Sequence, residues 1–374
     1  STVEWKKLGD LVEIKSGIRV SFKNYIVKKS NTKYISVENM NINKKNSKIV
    51  YIDDKFAKEC KAPFLQKDNI IISEVSGNIY TMITCNEWDK SLFSRGIHHL
   101  YNINNINKLY LFNIFKTNFM TPIIAKNSKG ITMGHINLED FRNLPIPVPP
   151  LEVQEEIVSE LDILEEENKT IKTLLEQTIK EKGMFEKYGY QKEIRLLLKD
   201  CEWSELGKVC NFDKKSNRNA SFGKNEGTVN FYTSSDKIKK CNISDYKEER
   251  ILIGTGGNPN IHIDNLFSCS ADNLILFSIN KDIANKFIFK HIKINLVHNI
   301  IRMRGNTIGH ATKDTISKIK IPIPSLEVQD KLIELYEIKN KKIKEYEKEV
   351  EHLKSRLNDL QELNKYVIEY YISK

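Results

Sequence analysis

The 374-residue sequence is written twice over, and any fold assigned to it must contain that duplication. Val3-Glu4-Trp5-Lys6-Lys7-Leu8-Gly9 returns as Cys201-Glu202-Trp203-Ser204-Glu205-Leu206-Gly207, an offset of 198. The same offset pairs Tyr34 with Tyr232, Ser36 with Ser234 and Glu38 with Asp236. Asn69-Ile70-Ile71-Ile72, then Ser76-Gly77-Asn78, matches Arg250-Ile251-Leu252-Ile253, then Gly256-Gly257-Asn258; Leu92-Phe93-Ser94 matches Leu266-Phe267-Ser268. Late in each half, Thr132-Met133-Gly134-His135 meets Thr307-Ile308-Gly309-His310. Ile146-Pro147-Val148-Pro149-Pro150-Leu151-Glu152-Val153-Gln154 then meets Ile321-Pro322-Ile323-Pro324-Ser325-Leu326-Glu327-Val328-Gln329, both at an offset of 175. The fall from 198 to 175 puts about 23 additional residues in the middle of the first half.

Each half follows one plan. Short β-rich runs, such as Lys33-Tyr34-Ile35-Ser36-Val37 and Asn273-Leu274-Ile275-Leu276-Phe277-Ser278, are broken by Gly, Asn and Ser turns. The Ile-Pro-Val-Pro and Ile-Pro-Ile-Pro steps that follow exclude helix and predict extended chain. Beyond them both halves turn helical. Heptad spacing runs through Ile157, Leu161, Leu164, Asn168, Ile171 and Leu175, and again through Leu332, Tyr336, Lys339, Ile343, Tyr346, Val350, Leu353, Leu357, Leu360, Asn364 and Val367. The expected fold is therefore α/β (α+β): globular domains over residues 1–150 and 199–325, and helices over 151–198 and 326–374. The helices are expected to pair as an antiparallel coiled coil with Asn168 in its seam, giving pseudo-two-fold symmetry. Some 30–38 paired residues would span roughly 45–57 Å, or roughly 13–17 base pairs. The alternative is that each helix lies on its own globular domain.

The charge points to a polyanion. Lys and Arg number 59 against 49 Asp and Glu, a net +10, and phosphate neutralisation releases counterions. Lysine-rich composition also follows from an AT-rich genome, so charge alone is an incomplete argument. Six scattered cysteines without a Cys-x-x-Cys pair read as reduced thiols of a cytoplasmic protein. No apolar run suits a membrane span, and no signal peptide opens the sequence.

Motifs with a chemical flavour have plainer explanations. Gly254-Thr255-Gly256-Gly257-Asn258-Pro259 lacks the Gly-Lys-Ser/Thr ending of a nucleotide loop and reads as a turn. His98, His99, His135 and His310 have no partner set with ligand spacing, so structural roles are expected, and no metal or catalytic residue is assigned. The repeated Pro145–Pro150 segment reads as a stiff connector rather than a proline-rich ligand.

With Trp-x-x-Leu-Gly openings, Gly-His and Ile-Pro-x-Pro-x-Leu-Glu-x-Gln closings and a long helix after each, the sequence resembles the specificity subunits of Type I restriction–modification enzymes. Lys187-Tyr188-Gly189-Tyr190 through Leu196-Leu197-Leu198 also resembles that family's passage from helix to second domain. The resemblance spans essentially the whole chain. Lys320 in place of Pro145 and Ser325 in place of Pro150 are its departures. It implies a non-catalytic subunit with two target-recognition domains, each reading half of a bipartite duplex-DNA site. It also implies two adenine-N6 methyltransferase partners, which carry S-adenosylmethionine, and an ATP- and Mg-dependent restriction partner where one exists.

DNA contact calls for Lys and Arg at phosphates and for Arg, Asn, Gln, Ser or Thr at base edges. The candidates in the first half are Lys15, Arg19, Lys23, Ser36, Asn39, Arg95, Lys126, Asn127, Lys129 and Thr132. In the second they are Lys214, Lys215, Arg218, Asn219, Ser234, Ser235, Lys237, Arg302, Arg304 and Asn306. Two other readings stay open: a partner or fragment of a Type II-like restriction–modification enzyme, and a structural coiled coil with basic ends that binds DNA without sequence preference.

Overall fold

The computed structural model describes residues 3–20, 25–41, 48–75, 78–127, 136–256, 260–295 and 312–373. The chain forms two compact units, one of Ser1–Leu175 with His352–Lys374, the other of Glu176–Glu351.

In the first unit a four-stranded sheet runs in the spatial order Glu13–Ser16, His98–Tyr101, Ile70–Val75, Asn78–Ile83. Successive side chains of a strand point to opposite faces. Ile70 and Ile72 therefore join Ile14, Leu100 and Phe141 in one core, while Ile71 joins Phe93, Ile97 and Trp88 in another. A sheet covered on both faces explains why this strand opens on three consecutive isoleucines, Ile70-Ile71-Ile72. A second sheet orders Ile26–Val27, Val50–Ile52, Thr32–Ile35 and Leu92–Phe93, the last pair parallel. The expected strand Lys33–Val37 stops at Ile35 because Ser36 opens the helix Val37–Met40.

The second unit repeats the first sheet as Cys210–Phe212, Asn273–Ser278, Arg250–Gly254, Ile261–Asp264. Its second sheet has three strands, Lys239–Cys241, Val229–Tyr232 and Phe267–Cys269. Most of the additional residues of the first half fall between Ile35 and Ser94, where the helix Asp54–Glu59 takes up part of them.

Hydrogen bonding corrects the register of the repeat. Ser94 N–H donates to the Ile35 carbonyl (2.9 Å) and Arg95 N–H to that of Ile18 (3.1 Å). Their counterparts are Ser270 to Tyr232 (2.8 Å) and Ala271 to Arg218 (2.8 Å). Ile35 therefore stands where Tyr232 stands, and Ser94 where Ser270 does. The pairings Tyr34 with Tyr232, Ser36 with Ser234 and Leu92-Phe93-Ser94 with Leu266-Phe267-Ser268 are displaced by one or two residues. Side-chain similarity outvoted ladder position in the linear alignment.

The duplicated ends build the same joint. Glu4–Lys7 pairs antiparallel with Pro145–Val148, placing Trp5 opposite Pro147, and Glu202–Glu205 pairs with Lys320–Ile323, placing Trp203 opposite Pro322. Each ribbon has only two strands, so the missing proline N–H falls on an edge and costs no ladder bond. The motif glutamine closes the joint. Gln154, 1% exposed, donates through Nε2 to the Pro149 carbonyl (2.7 Å) and accepts from Asn107 N–H (2.7 Å). Gln329 donates to Pro324 (2.9 Å) and Asp282 (2.5 Å) and accepts from Ala284 N–H (3.1 Å). Ser325 does the work of Pro150, because only its carbonyl is needed, by the N–H of Gln329 (2.9 Å).

Both helices form, as Leu151–Tyr188 and Leu326–Ser373. The first breaks before residue 198: Tyr190 is left-handed (φ 59°) and starts a separate helix, Gln191–Leu197. Pairing runs antiparallel inside each unit. In the first, Glu160 binds Tyr371 (2.7 Å), Glu167 pairs with Arg356, and Ile171 packs with Leu353 and Leu360. In the second, Lys182 bridges to Glu347 (3.3 Å) and Phe185 meets Tyr346. The alternative reading also holds locally, since Ile157 and Leu161 belong to the core of the first unit and Leu332 and Tyr336 to that of the second.

Polar side chains interrupt the seam. Lys339 is 3% exposed, and burial holds its ammonium pKa below the usual range. Asn168 is 6% exposed, and its Oδ1 meets no donor among the described residues. An unmet buried acceptor costs about 1–3 kcal/mol, and a seam asparagine of this kind trades stability for register. Asn168→Leu is therefore expected to stabilise the first unit by about 1–2 kcal/mol, read as a higher urea midpoint at unchanged slope. A lower midpoint would show the amide to be satisfied. Among the described residues no helix is long and apolar enough to cross a membrane.

Candidate nucleic-acid interface

Four of the expected residues of the second unit lie on one loop. After the strand Cys210–Phe212 the chain exposes Lys214, Lys215 and Asn219 and half-buries Arg218. Lys214 and Lys215 line an open cleft of about 560 Å³ with Asp213, Asp245, Tyr246, Lys247, Glu248 and Arg250. Its acids are largely engaged: Asp245 by Arg218, and Asp213 and Glu248 by Arg250. The Arg218 guanidinium holds the Asp245 carboxyl below the usual carboxylate range. Lys214, Lys215 and Lys247 make no ion pair with a described residue, so the rim keeps a surplus of mobile positive charge.

The neighbouring turn reaches the same place through Ser270 and Ala271, whose N–H groups bind the Tyr232 and Arg218 carbonyls. Its serines are occupied. Ser234 Oγ donates to the Gly256 carbonyl (2.8 Å) and accepts from Gly256 N–H (2.7 Å), and Ser235 Oγ accepts from Lys237 N–H (3.2 Å). Lys237 is exposed, and Asn219 Oδ1 is taken by Ser221 Oγ (2.6 Å).

The first unit builds the equivalent junction. Ile18 bridges to Ser94, and the next residues, Arg19 and Arg95, are both exposed. Ser36 follows Ile35, which binds Ser94, so these three candidates converge. Ser36 Oγ is spent on Asn39 Oδ1 (2.9 Å), which also accepts from Ser36 N–H (2.8 Å). Lys15 lies apart on the sheet, its Nζ 4.4 Å above the Tyr101 ring. Lys126 and Asn127 end the helix Thr121–Asn127, where the Asn127 amide binds the Ile123 carbonyl (2.7 Å). Lys23, Lys129, Thr132, Arg302, Arg304 and Asn306 lie outside the described residues, as do His135 and His310.

His98 and His99, the other two histidines singled out above, are buried. His98 touches Ser16 Oγ (2.9 Å) and the Ile136 carbonyl (3.3 Å) and stacks on Phe141. His99 is pushed down to about 4 by burial, with Lys15 adding to the shift. Among the described residues no three His, Cys, Asp or Glu side chains gather as a metal set. Sequence reasoning missed Asp245, Phe222 and Lys247. Tyr246-Lys247 offers a weak aromatic–basic signal, but Asp245 lies 27 residues from Arg218 and has none.

Comparison with known proteins bears on the family and the fold. The family described as the type I restriction modification DNA specificity domain matches residues 1–181 and 199–352. A Methanocaldococcus jannaschii protein carrying the name type I restriction enzyme MjaX specificity subunit is 29% identical over 277 residues. That match spans 64% of this chain and 64% of that protein. A chain from a structural study of assembly and conformational transition in the type I R-M system superposes with a TM-score of 0.67 at 15% identity, covering 99% of this chain and 97% of that one. The HsdS subunit from Thermoanaerobacter tengcongensis gives 0.56 at 16%, covering 99% and 96%. At these identities the structural matches speak for the fold.

Proposed function

This chain belongs to the type I restriction–modification DNA specificity family, and from that premise we propose that each of its two heads reads half of a bipartite duplex-DNA target. The observation that carries the reading is the backbone junction built in both units: Arg95 N–H binds the Ile18 carbonyl with Arg19 next in the chain in one, and Ala271 N–H binds the carbonyl of Arg218 in the other. Phosphate contacts set position and base edges set sequence. Exposed Lys214, Lys215 and Lys247 suit the first role, and the arginines of the junctions the second.

The chain itself performs no chemistry in this reading. It acts in the cytoplasm and recruits two adenine-N6 methyltransferase subunits, which bring S-adenosylmethionine, and a restriction subunit using ATP and Mg where one exists. The paired helices set the gap between half-sites, so seven residues inserted in each would change it by about 3 base pairs.

Selection from a randomised duplex library tests the reading, using the full chain with the host methyltransferase subunit. Two short conserved blocks at a fixed separation are expected. Enrichment without any base preference would favour the structural coiled-coil protein instead. The combined change of Lys214, Lys215 and Lys247 to alanine should weaken binding on all sequences alike and reduce the salt slope by about 2.7, at about 0.9 per phosphate contact. An unchanged slope would remove these lysines from the interface.

A further inference from the structure

Two arginines of the second unit lie over phenylalanine rings and against carboxylates, and they differ in one respect. Arg250 sits 4.2 Å from the Phe277 centroid and is used on every side: Nε to Asp213 (2.7 Å), Nη2 to Glu248 (2.9 Å) and Nη1 to the Glu249 carbonyl (3.0 Å). It is a structural clasp. Arg218 sits 4.0 Å from the Phe222 centroid and gives only Nε (2.5 Å) and Nη2 (2.7 Å), both to Asp245. A guanidinium has five N–H donors in a rigid fork. Asp245 occupies one edge. The end formed by Nη1 and the second Nη2 hydrogen meets no acceptor among the described residues, and the side chain is 25% exposed.

Everything behind that free end is fixed. The Arg218 N–H binds Ser216 Oγ (3.1 Å) and its carbonyl receives Ala271 N–H (2.8 Å). Phe222 packs on Phe231, which is fully buried. Asp245 N–H is anchored to Ser268 Oγ (3.0 Å). An arginine held in place this way loses little freedom when its free end binds, and a paired, outward fork matches the O6 and N7 acceptors that only guanine presents together in the major groove.

Resting on the DNA-reading role proposed above, we propose that Arg218 determines specificity in the second head by reading a guanine through Nη1 and Nη2, with Asp245 and Phe222 as its positioning residues. The Asp245 pair persists in the complex, because the two partners use different edges of the fork. Lys214, Lys215 and Lys247 on the adjoining cleft take phosphates and read no base.

The test is the same library selection, run on the wild-type chain, Arg218→Lys and Asp245→Asn, each with its melting curve. Arg218→Lys keeps the charge but removes the fork. Its expected result is loss of preference at a single G·C pair in one block by about 5- to 150-fold, the other positions and the other block unchanged. Asp245→Asn should weaken preference at that same pair and nowhere else. Should one variant unfold, the other still reads the same position. Retained preference at every position in a folded variant overturns the inference, as does a uniform loss on all sequences, which is the behaviour of a phosphate contact. A wild-type chain without a split motif overturns the DNA-reading role itself.

Discussion

Gln329→Ala is expected to lower the melting temperature of the second unit by roughly 5–12 °C. Its side chain is 1% exposed and satisfies three backbone groups: the carbonyls of Pro324 and Asp282 and the N–H of Ala284. Alanine leaves all three in a space too tight for full rehydration, at about 1–3 kcal/mol for each group that stays unmet. Partial relaxation brings the total to roughly 2–4 kcal/mol, and 1 kcal/mol moves a unit of this size by about 2–4 °C. Gln154→Ala should do the same to the first unit, by somewhat less, since Gln154 serves only Pro149 and Asn107. Differential scanning calorimetry of both variants decides it. A shift under about 2 °C for Gln329→Ala would mean that the joint is held by apolar packing and that the repeated glutamine is incidental.

Acid should weaken both units well above the carboxylate range. His291 is pushed down to about 4 by burial against Phe287 and Tyr336, with Nδ1 2.8 Å from the Tyr336 hydroxyl. His99 in the first unit is also pushed down to about 4 by burial. The imidazole is neutral in the folded unit and protonates near 6.5 in the unfolded chain, so the unfolded state binds the additional proton. The stabilisation is complete above that value and is lost as pH falls from 6.5 toward 4. Integration to pH 5 gives a loss of about 2 kcal/mol per histidine. Burial lowers His262 in the second unit as well, which adds to the same trend. Urea titrations at pH 7 and pH 5 should show the fall, and His291→Gln should reduce it for the second unit, leaving the part due to His262, while leaving the first unit's response intact. Equal stability at the two pH values would mean that these rings gain water or a partner on protonation.

The candidate interface was legible in parts. Arg218, Arg19 and Arg95 could be chosen from sequence because arginine suits both phosphates and base edges, and the fold brings each to a backbone junction. Ser36 and Ser234 were chosen because they align in the repeat, and the fold gives their hydroxyls different partners: one caps a helix and the other pins Gly256. A hydroxyl's role depends on which backbone groups stand within 3 Å of it, and identity at an aligned position does not carry that information. The separation of Arg218 from Arg250 depends likewise on where Asp245, Asp213 and Glu248 fall in space.

The duplication, the extended proline segments, the two long helices and their seam residues were determined by sequence alone. Each follows from local chemistry or a short period: proline's fixed φ, the heptad, the repetition of a nine-residue string. The register between the two sheets, the break at Tyr190, the glutamine that locks each joint and the arginine with a free edge were decided only by tertiary structure. Those features depend on contacts between residues far apart in the chain, such as the 27 residues from Arg218 to Asp245 and the 47 from Gln154 to Asn107. No periodicity encodes such distances, because they are settled when the sheets close and every buried donor must find an acceptor.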